Sequence, residues 1–412
     1  MRKPMRAMLA ATTVATSVLA GVTVATVEAG ASTKAPITIA EIVSTTGPAG
    51  AEYARAAQGF QARVALANAS GGIDGHKING VVVNDAGNYT EETSIVQGAV
   101  QTKGAIGIVS VTPFMFESYR WLQQNHIPVT GASSDGPEWG TPKNTNMFPS
   151  DTPAVQPNSP ATAALSKLMK LVGAKSVASL GYSISPLSSQ AAKNFAAAAK
   201  YVHIKAPYVN TTVTFGATDF SSEALAVKAS GATVVAPSMD DNSNFALLQD
   251  LRNAGSKAKG MLATGLEPTA IGSSAWPALQ GSYFFQVWKP SQLKTKANIA
   301  MQAALKKYEH VSTKTFPDWA VYEGWGGATL MIKGLQQAGP KATSQSIISK
   351  LRKVTNFTAN TLLAKPINYA TIMKTYGPSC LYTVKAVQSG FQTLSPKAIC
   401  GTAIPGTGTT SG

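Results

Sequence analysis

The chain has 412 residues, 44% of them hydrophobic and 13% charged. This balance excludes a disordered or fibrous protein and allows one to three globular domains. The formal net charge is +15, but its lysines, such as Lys289, Lys294, Lys296, Lys306 and Lys307, are spread out and not interleaved with aromatics. That pattern fits a solvated surface that attracts cell-wall polymers or anionic membranes, and excludes a nucleic-acid groove.

The first element is a leader. Arg2, Lys3 and Arg6 precede a run of apolar and small residues, and Ala29-Gly30-Ala31 supplies a small-x-small cleavage pattern. Residues 1–31 therefore read as a secretory signal peptide, with an uncleaved membrane anchor as the rival reading. No cysteine follows the run, so a lipid-anchored start is not supported. Cleavage leaves 32 basic and 19 acidic residues, a net charge of +13.

After the leader, Ile37 and Ile39 alternate as in a strand, and Thr45-Thr46-Gly47-Pro48 is a loop. Tyr53, Ala57, Phe60, Val64 and Ala67 recur at helical spacing. Asn68 to Gly72 stops this helix, because glycine tolerates the left-handed C-cap conformation. Val81-Val82-Val83 is a short strand, 91–103 a helix with acids in its first turn, 105–110 a strand, 113–125 a helix and 127–130 a strand. The pattern then restarts. Helices are expected near 161–171, 190–201, 220–228 and 245–253, and strands near 176–181, 208–215, 232–237 and 260–265. A strand at 282–287, helices near 293–309, 320–337 and 344–353, and a hairpin about Ser389-Gly390 follow. Residues 401–412 read as a flexible tail.

Short apolar strands alternating with helices predict an α/β protein with parallel sheets covered on both faces. Two such doubly wound units occur, with crossings expected around Phe148-Pro149-Ser150-Asp151 and again at 282–287. Two lobes face to face make a cleft at the carboxyl ends of their strands, where small molecules bind. Cys380 and Cys400 are the two cysteines. In an exported chain they predict a disulfide pinning the last hairpin, worth at most about 3 kcal/mol. A metal or redox pair is the rival, with neither CxxC spacing nor a nearby histidine to support it.

Enzyme signatures are lacking. The four histidines form no HExxH or Cys/His set, and there is no GxSxG elbow, Walker A or GxGxxG loop. No catalytic residue, metal or cofactor is expected.

The stretch "NASGGIDGHKINGVVVND", with Asn68, Gly71, Gly72, Ile73, Gly75, Ile78 and Asp85, resembles the leucine/isoleucine/valine-type solute-binding proteins of ABC importers. "TTGPAGAEYARAAQGFQARVALANA", "IGIVSVTPF", "IPVTGASS", "GATDF" and "LLQDLRNAG" extend the resemblance in order over roughly residues 35–395. It implies the type I periplasmic-binding-protein fold: two Rossmann-like lobes on a hinge, with the ligand cleft between them. The implied lobes are 35–151 plus 285–355 and 152–284 plus 356–400. Carried over by position, Thr112, Ala132, Ser133 and Ser134 would hold a carboxylate or amide in lobe one, with Tyr53 as an aromatic wall. In lobe two, Glu267 would meet an ammonium group, and Tyr182, Ser238 and Asp240 would complete the site with Tyr322. "YSISPLSS" departs from the family's Tyr-Gly loop, and Met239-Asp240 stand where an aromatic is expected, so the ligand need not be leucine or valine. The resemblance further implies a monomer outside the cytoplasm, periplasmic, secreted or held at the cell wall, with ABC permease subunits as partners. A sensor of the same fold and a secreted α/β hydrolase are the alternatives.

Overall fold

The computed structural model describes residues 34–134, 137–140, 145–151, 159–312, 316–371 and 379–408. The expected signal peptide lies outside them. Five strands form the first sheet: β1 (Ile37–Val43), β2 (Ile78–Asn84), β3 (Ile108–Val111), β4 (Val129–Gly131) and β5 (Met147–Pro149). They run in the order β2-β1-β3-β4-β5, every neighbour parallel. The helices α1 (Gly50–Tyr53), α2 (Ala56–Ala69), α3 (Glu92–Gln97) and α4 (Tyr119–Gln124) connect them.

The turn after α2 shows why this stretch carries its glycines. Gly72 has φ +70°, and a Cβ there would lie 2.1 Å from the carbonyl oxygen of His76. Ile73 and His76 then exchange a pair of backbone hydrogen bonds, both 2.9 Å. Asn68 clamps the returning strand: its Oδ1 accepts from the Ile78 N–H at 2.7 Å, and its Nδ2 donates to the Ile78 carbonyl at 2.8 Å. Helix stop, reversal and strand entry are thus one hydrogen-bonded unit.

The second sheet contains β6 (Ser176–Tyr182), β7 (Lys205–Val213), β8 (Val234–Ser238), β9 (Lys259–Leu262), β10 (Tyr283–Gln286), β11 (Ser379–Val387), β12 (Gly390–Thr393) and β13 (Ile399–Gly401). Its order is β12-β11-β10-β9-β8-β6-β7, with β13 also paired to β11. β6 to β10 are parallel, and β11 enters antiparallel beside β10. The helices α5 (Ala163–Leu171), α6 (Pro186–Tyr201), α7 (Ser221–Ala229), α8 (Asp241–Asn253) and α9 (Trp276–Leu279) accompany it. The remaining helices, α10 (Lys296–Tyr308), α11 (Trp319–Ala338) and α12 (Ser344–Leu351), return to the first lobe, where α11 packs along α2. Side chains cap most of the longer helices: Thr162, Ser185, Asp240, Thr295, Asp318 and Thr343 each accept a first-turn N–H.

The expected fold class, two α/β lobes with parallel sheets, is what the structure shows. Local departures have physical causes. The helix expected over 113–125 is a 3-10 turn, Met115–Glu117, followed by α4, because the Ser118 hydroxyl turns back onto the Met115 carbonyl. The helix expected over 91–103 ends in a π turn, Gly98–Thr102. The strand at 282–287 is a full member of the second sheet, and the chain leaves that sheet only after it, with Trp288 buried in the first core. Phe357, Leu362, Leu363, Ile367 and Tyr369 also bury in the first core, although the boundary read from sequence places residues after 355 in lobe two. Cys380 and Cys400 are bonded, S–S 2.02 Å, and face each other across β11 and β13. The bond therefore ties down the strand after the hairpin, not the hairpin itself. The described part of the tail is anchored too. Ala163 donates to the Thr402 carbonyl and Ile404 to that of Ala161, both at 2.8 Å, and Ile404 is buried.

One core group has a pH signature. Glu41 on β1 is fully buried, and neither carboxyl oxygen meets a hydrogen-bond partner among the described residues. Burial pushes its pKa well above the usual carboxylate value. A folded-state pKa above the unfolded one means that the folded protein holds the proton more tightly. The stability this confers is complete at low pH and is lost as pH rises through the folded pKa. Glu41→Gln should remove that loss. At pH 8 the variant should be about 1 kcal/mol or more stabler than the parent. The gap should close toward pH 4, as read from unfolding midpoints across the pH range.

Candidate functional site

The carboxyl ends of both sheets converge on one cavity of about 350 Å³. From the first lobe come Ala49, Glu52 and Tyr53 after β1, Pro113, Phe114 and Phe116 after β3, Ser133 and Ser134 after β4, and Asp151 after β5. From the second come Tyr182 and the start of α6 after β6, Phe215 after β7, Ser238, Met239 and Asp240 after β8, and Ala263 and Thr264 after β9. Trp319, the first residue of α11, closes one side. Strand ends leave their last peptide groups and side chains free to face a ligand, which is why open α/β sheets bind there.

Aromatic rings span the gap between the lobes. Phe114 of the first lobe meets Phe215 of the second edge-on at 6.0 Å, and Phe215 meets Tyr182 at 5.3 Å. Tyr53 and Trp319 form a second edge-on pair at 5.5 Å. The polar groups are mostly held in place. The Tyr182 hydroxyl donates to Asp240, whose other carboxyl oxygen caps α8 by accepting from the Ser243 N–H at 3.1 Å. Ser188 ties β6 to β8: its hydroxyl accepts from the Tyr182 N–H at 2.8 Å and donates to the Ser238 carbonyl. Ser133 donates to Asp151 at 3.2 Å. The Ser134 hydroxyl is buried and meets no partner among the described residues.

Acidic side chains stand in the cavity wall. Glu52, Asp151 and Asp240 line it, and no Lys, Arg or His does among the described residues. Behind the wall, burial and then neighbouring Glu267 raise the pKa of Asp241. Asp318 is pushed up to about 6 by burial, which outweighs the Arg55 guanidinium 2.7 Å away. Each histidine of the chain is described, and none lines the cavity. No group of three or more His, Cys, Asp and Glu that could hold a metal occurs among the described residues.

The sequence profile of a family described as periplasmic binding protein matches residues 36–390. The chain belongs to the periplasmic binding protein family. A search of curated proteins finds no match. Solved structures of similar fold include a solute-binding protein of an ABC transporter from R. palustris in complex with benzoate. It has 14% identity and a TM-score of 0.71, with 90% of this chain and 98% of that one covered. A branched-chain amino acid ABC transporter protein from Thermus thermophilus with bound valine has 15% identity and a TM-score of 0.71, covering 89% and 96%. A fatty acid ABC transporter substrate-binding protein from Thermomonospora curvata has 15% identity and a TM-score of 0.68, covering 88% and 92%. At such identities the likeness is one of fold.

Within this periplasmic binding protein, Tyr53, Ser133, Ser134, Tyr182, Ser238 and Asp240 line the cavity together. Thr112, Ala132, Glu267 and Tyr322 do not. The Thr112 hydroxyl is engaged by the Phe114 N–H at 3.2 Å, and the Ala132 N–H already donates to the Ser110 carbonyl at 2.9 Å. Glu267 accepts from Thr269 at 2.7 Å and sits one layer back beside Asp241. The Tyr322 hydroxyl, deep in the first core, reaches the Asn298 side chain at 2.8 Å. Trp319 reaches the cavity, whereas Trp139 is a core residue with 1% exposure. The sequence reading missed Phe114, Phe116 and Phe215. A ring just past a strand's carboxyl end was the available signal, since "IGIVSVTPF" ends on Phe114.

Proposed function

We propose that this protein is the extracytoplasmic solute-binding subunit of an ABC importer. It closes its two lobes on a small ligand with an apolar body and a hydrogen-bonding head, an amino acid or amide being the leading class. The closed form docks on permease subunits and delivers the ligand unchanged. The observation that carries this reading is the shared cavity: strand ends of both lobes supply its walls, so a ligand touching both stabilises the closed form by differential affinity. Solved structures of the same fold carry benzoate and valine, and a third is named for fatty acids, so an apolar body is the common element among them. The net positive surface would keep the chain near anionic wall polymers or membranes.

Thermal unfolding of the purified chain against amino acids, amides, small carboxylates and aromatic acids tests the proposal. A ligand at about a hundred times its dissociation constant adds about 2.7 kcal/mol. The expected result is a clear upward shift for one class, with the ligand recovered intact. A midpoint unmoved by every compound, or turnover of a hit, would count against it. Glu267→Ala should bind a hit within about threefold of the parent, less than 1 kcal/mol, because Glu267 stands behind the wall. Isothermal titration reads that ratio.

A further inference from the structure

The cavity does not end where the lobes meet. It continues between α6 and strands β10 and β11 of the second sheet, where Leu165, Leu187, Phe195, Phe285 and Leu381 give it an apolar lining. Polar side chains line this arm too, and of them Thr162 and Asn194 are hydrogen-bonded within the protein. Gln286, the last residue of β10, is 5% exposed and lines the cavity, yet neither its Oε1 nor its Nε2 meets a hydrogen-bond partner among the described residues. Nine in ten or more buried polar groups in folded proteins are paired, and leaving one unpaired costs stability. An apolar residue would fill the position without that cost. A carboxamide kept unpaired at a cavity wall is therefore a recognition element.

Its chemistry specifies what it recognises. A carboxamide offers one accepting oxygen and a donating NH₂ side by side. A second carboxamide satisfies both at once. An ionised carboxylate can only accept, which leaves the Gln286 oxygen unpaired. It also enters a cavity whose lining includes the carboxyl groups of Glu52, Asp151 and Asp240. An ammonium group suits those acids but has nothing to accept from the Gln286 NH₂. The geometry points to Gln286 as a specificity residue that pairs with a neutral carboxamide on an apolar ligand, in a subsite reaching beyond the interlobe contact. This inference rests on the ligand-binding reading of the cleft.

The test uses phenylacetamide, phenylacetate and phenethylamine, which share one body and differ in head-group charge. Titration calorimetry on the parent should show the amide bound about tenfold or more tightly than the carboxylate. Gln286→Met keeps the volume and removes the polar atoms. It should weaken the amide about tenfold while leaving the amine within about threefold. Without ligand, the same variant should unfold about 2 °C or more above the parent, since an unpaired buried amide has been removed. A structural glutamine would give the opposite shift. A parent that prefers phenylacetate or does not bind the amide overturns the subsite, as does an amide affinity unchanged in Gln286→Met. The broader ligand panel judges the cleft separately: a carboxylate hit there with no amide binding leaves the cleft standing and removes the subsite.

Discussion

Ala191→Trp should cost about 100-fold in affinity for any ligand that the wild-type cleft binds, about 2.7 kcal/mol. Ala191 sits on α6, is half-buried, and lines the cavity beside the apolar arm. An indole projecting from it would occupy much of a space of about 350 Å³. The cost falls on binding and spares folding, because the ring enters a cavity and displaces no packed side chain. The unliganded unfolding midpoint should therefore stay within about 2 °C of the parent, equivalent to less than 1 kcal/mol. Lys193→Trp is the control. Lys193 is exposed two residues along the same helix, outside the cavity lining, and its replacement should leave affinity unchanged. Calorimetry with the best compound of the panel reads both. Parent-like binding by Ala191→Trp would place the ligand elsewhere and remove the cleft assignment.

Gly59→Ala should destabilise the first lobe strongly for a single added methyl. Helices α2 and α11 approach so closely that a Cβ on Gly59 would lie 2.1 Å from the Val321 carbonyl oxygen and 2.9 Å from the Trp325 nitrogen. The contact is reciprocal: a Cβ on Gly324 would lie 2.1 Å from the Ala56 carbonyl oxygen. The clash is with backbone on both sides, so no side-chain rotation relieves it, and one helix has to move. Overpacking of this kind costs about 3 kcal/mol, and the unfolding midpoint should fall by about 5 °C or more. Trp319, at the start of α11, lines the cleft, so the displaced helix should also weaken ligand binding. A midpoint within about 1 °C of the parent would show that the two helices are not in backbone contact.

The acids around the cleft show where reading by position stops. The family resemblance puts an acid for an ammonium group at Glu267, which does lie in the loop after β9. Whether its carboxylate faces the cavity or a neighbouring Asp241 depends on side-chain direction in a loop, which no periodicity encodes. Tyr322 lies away from the cavity for a related reason. It lies one turn into α11, on the face that packs into the first core, while Trp319 at the helix start reaches the cleft. Gln286 and the apolar arm are invisible in sequence because Leu165, Phe195, Phe285 and Leu381 read as ordinary helix stripes and strand interiors, and Leu187 falls in the "YSISPLSS" loop. A buried wall and a buried core have the same composition.

What the sequence determined by itself was local and periodic. Alternation of short apolar strands with amphipathic helices specified two α/β lobes, because each element buries one face and its period follows from backbone geometry. The Asn68 to Asp85 stretch specified a helix stop, a reversal and a strand, since each of those needs particular backbone angles and a particular clamp. The two cysteines specified the bond between them. What only the tertiary structure decided was which of the residues at strand ends face one another across the lobes, and which polar groups there are already paired. Those depend on contacts between segments such as Phe114 and Phe215, or β10 and α6, that are far apart in the chain. No local spacing carries such contacts, because the segments that make them meet only when the whole chain has folded.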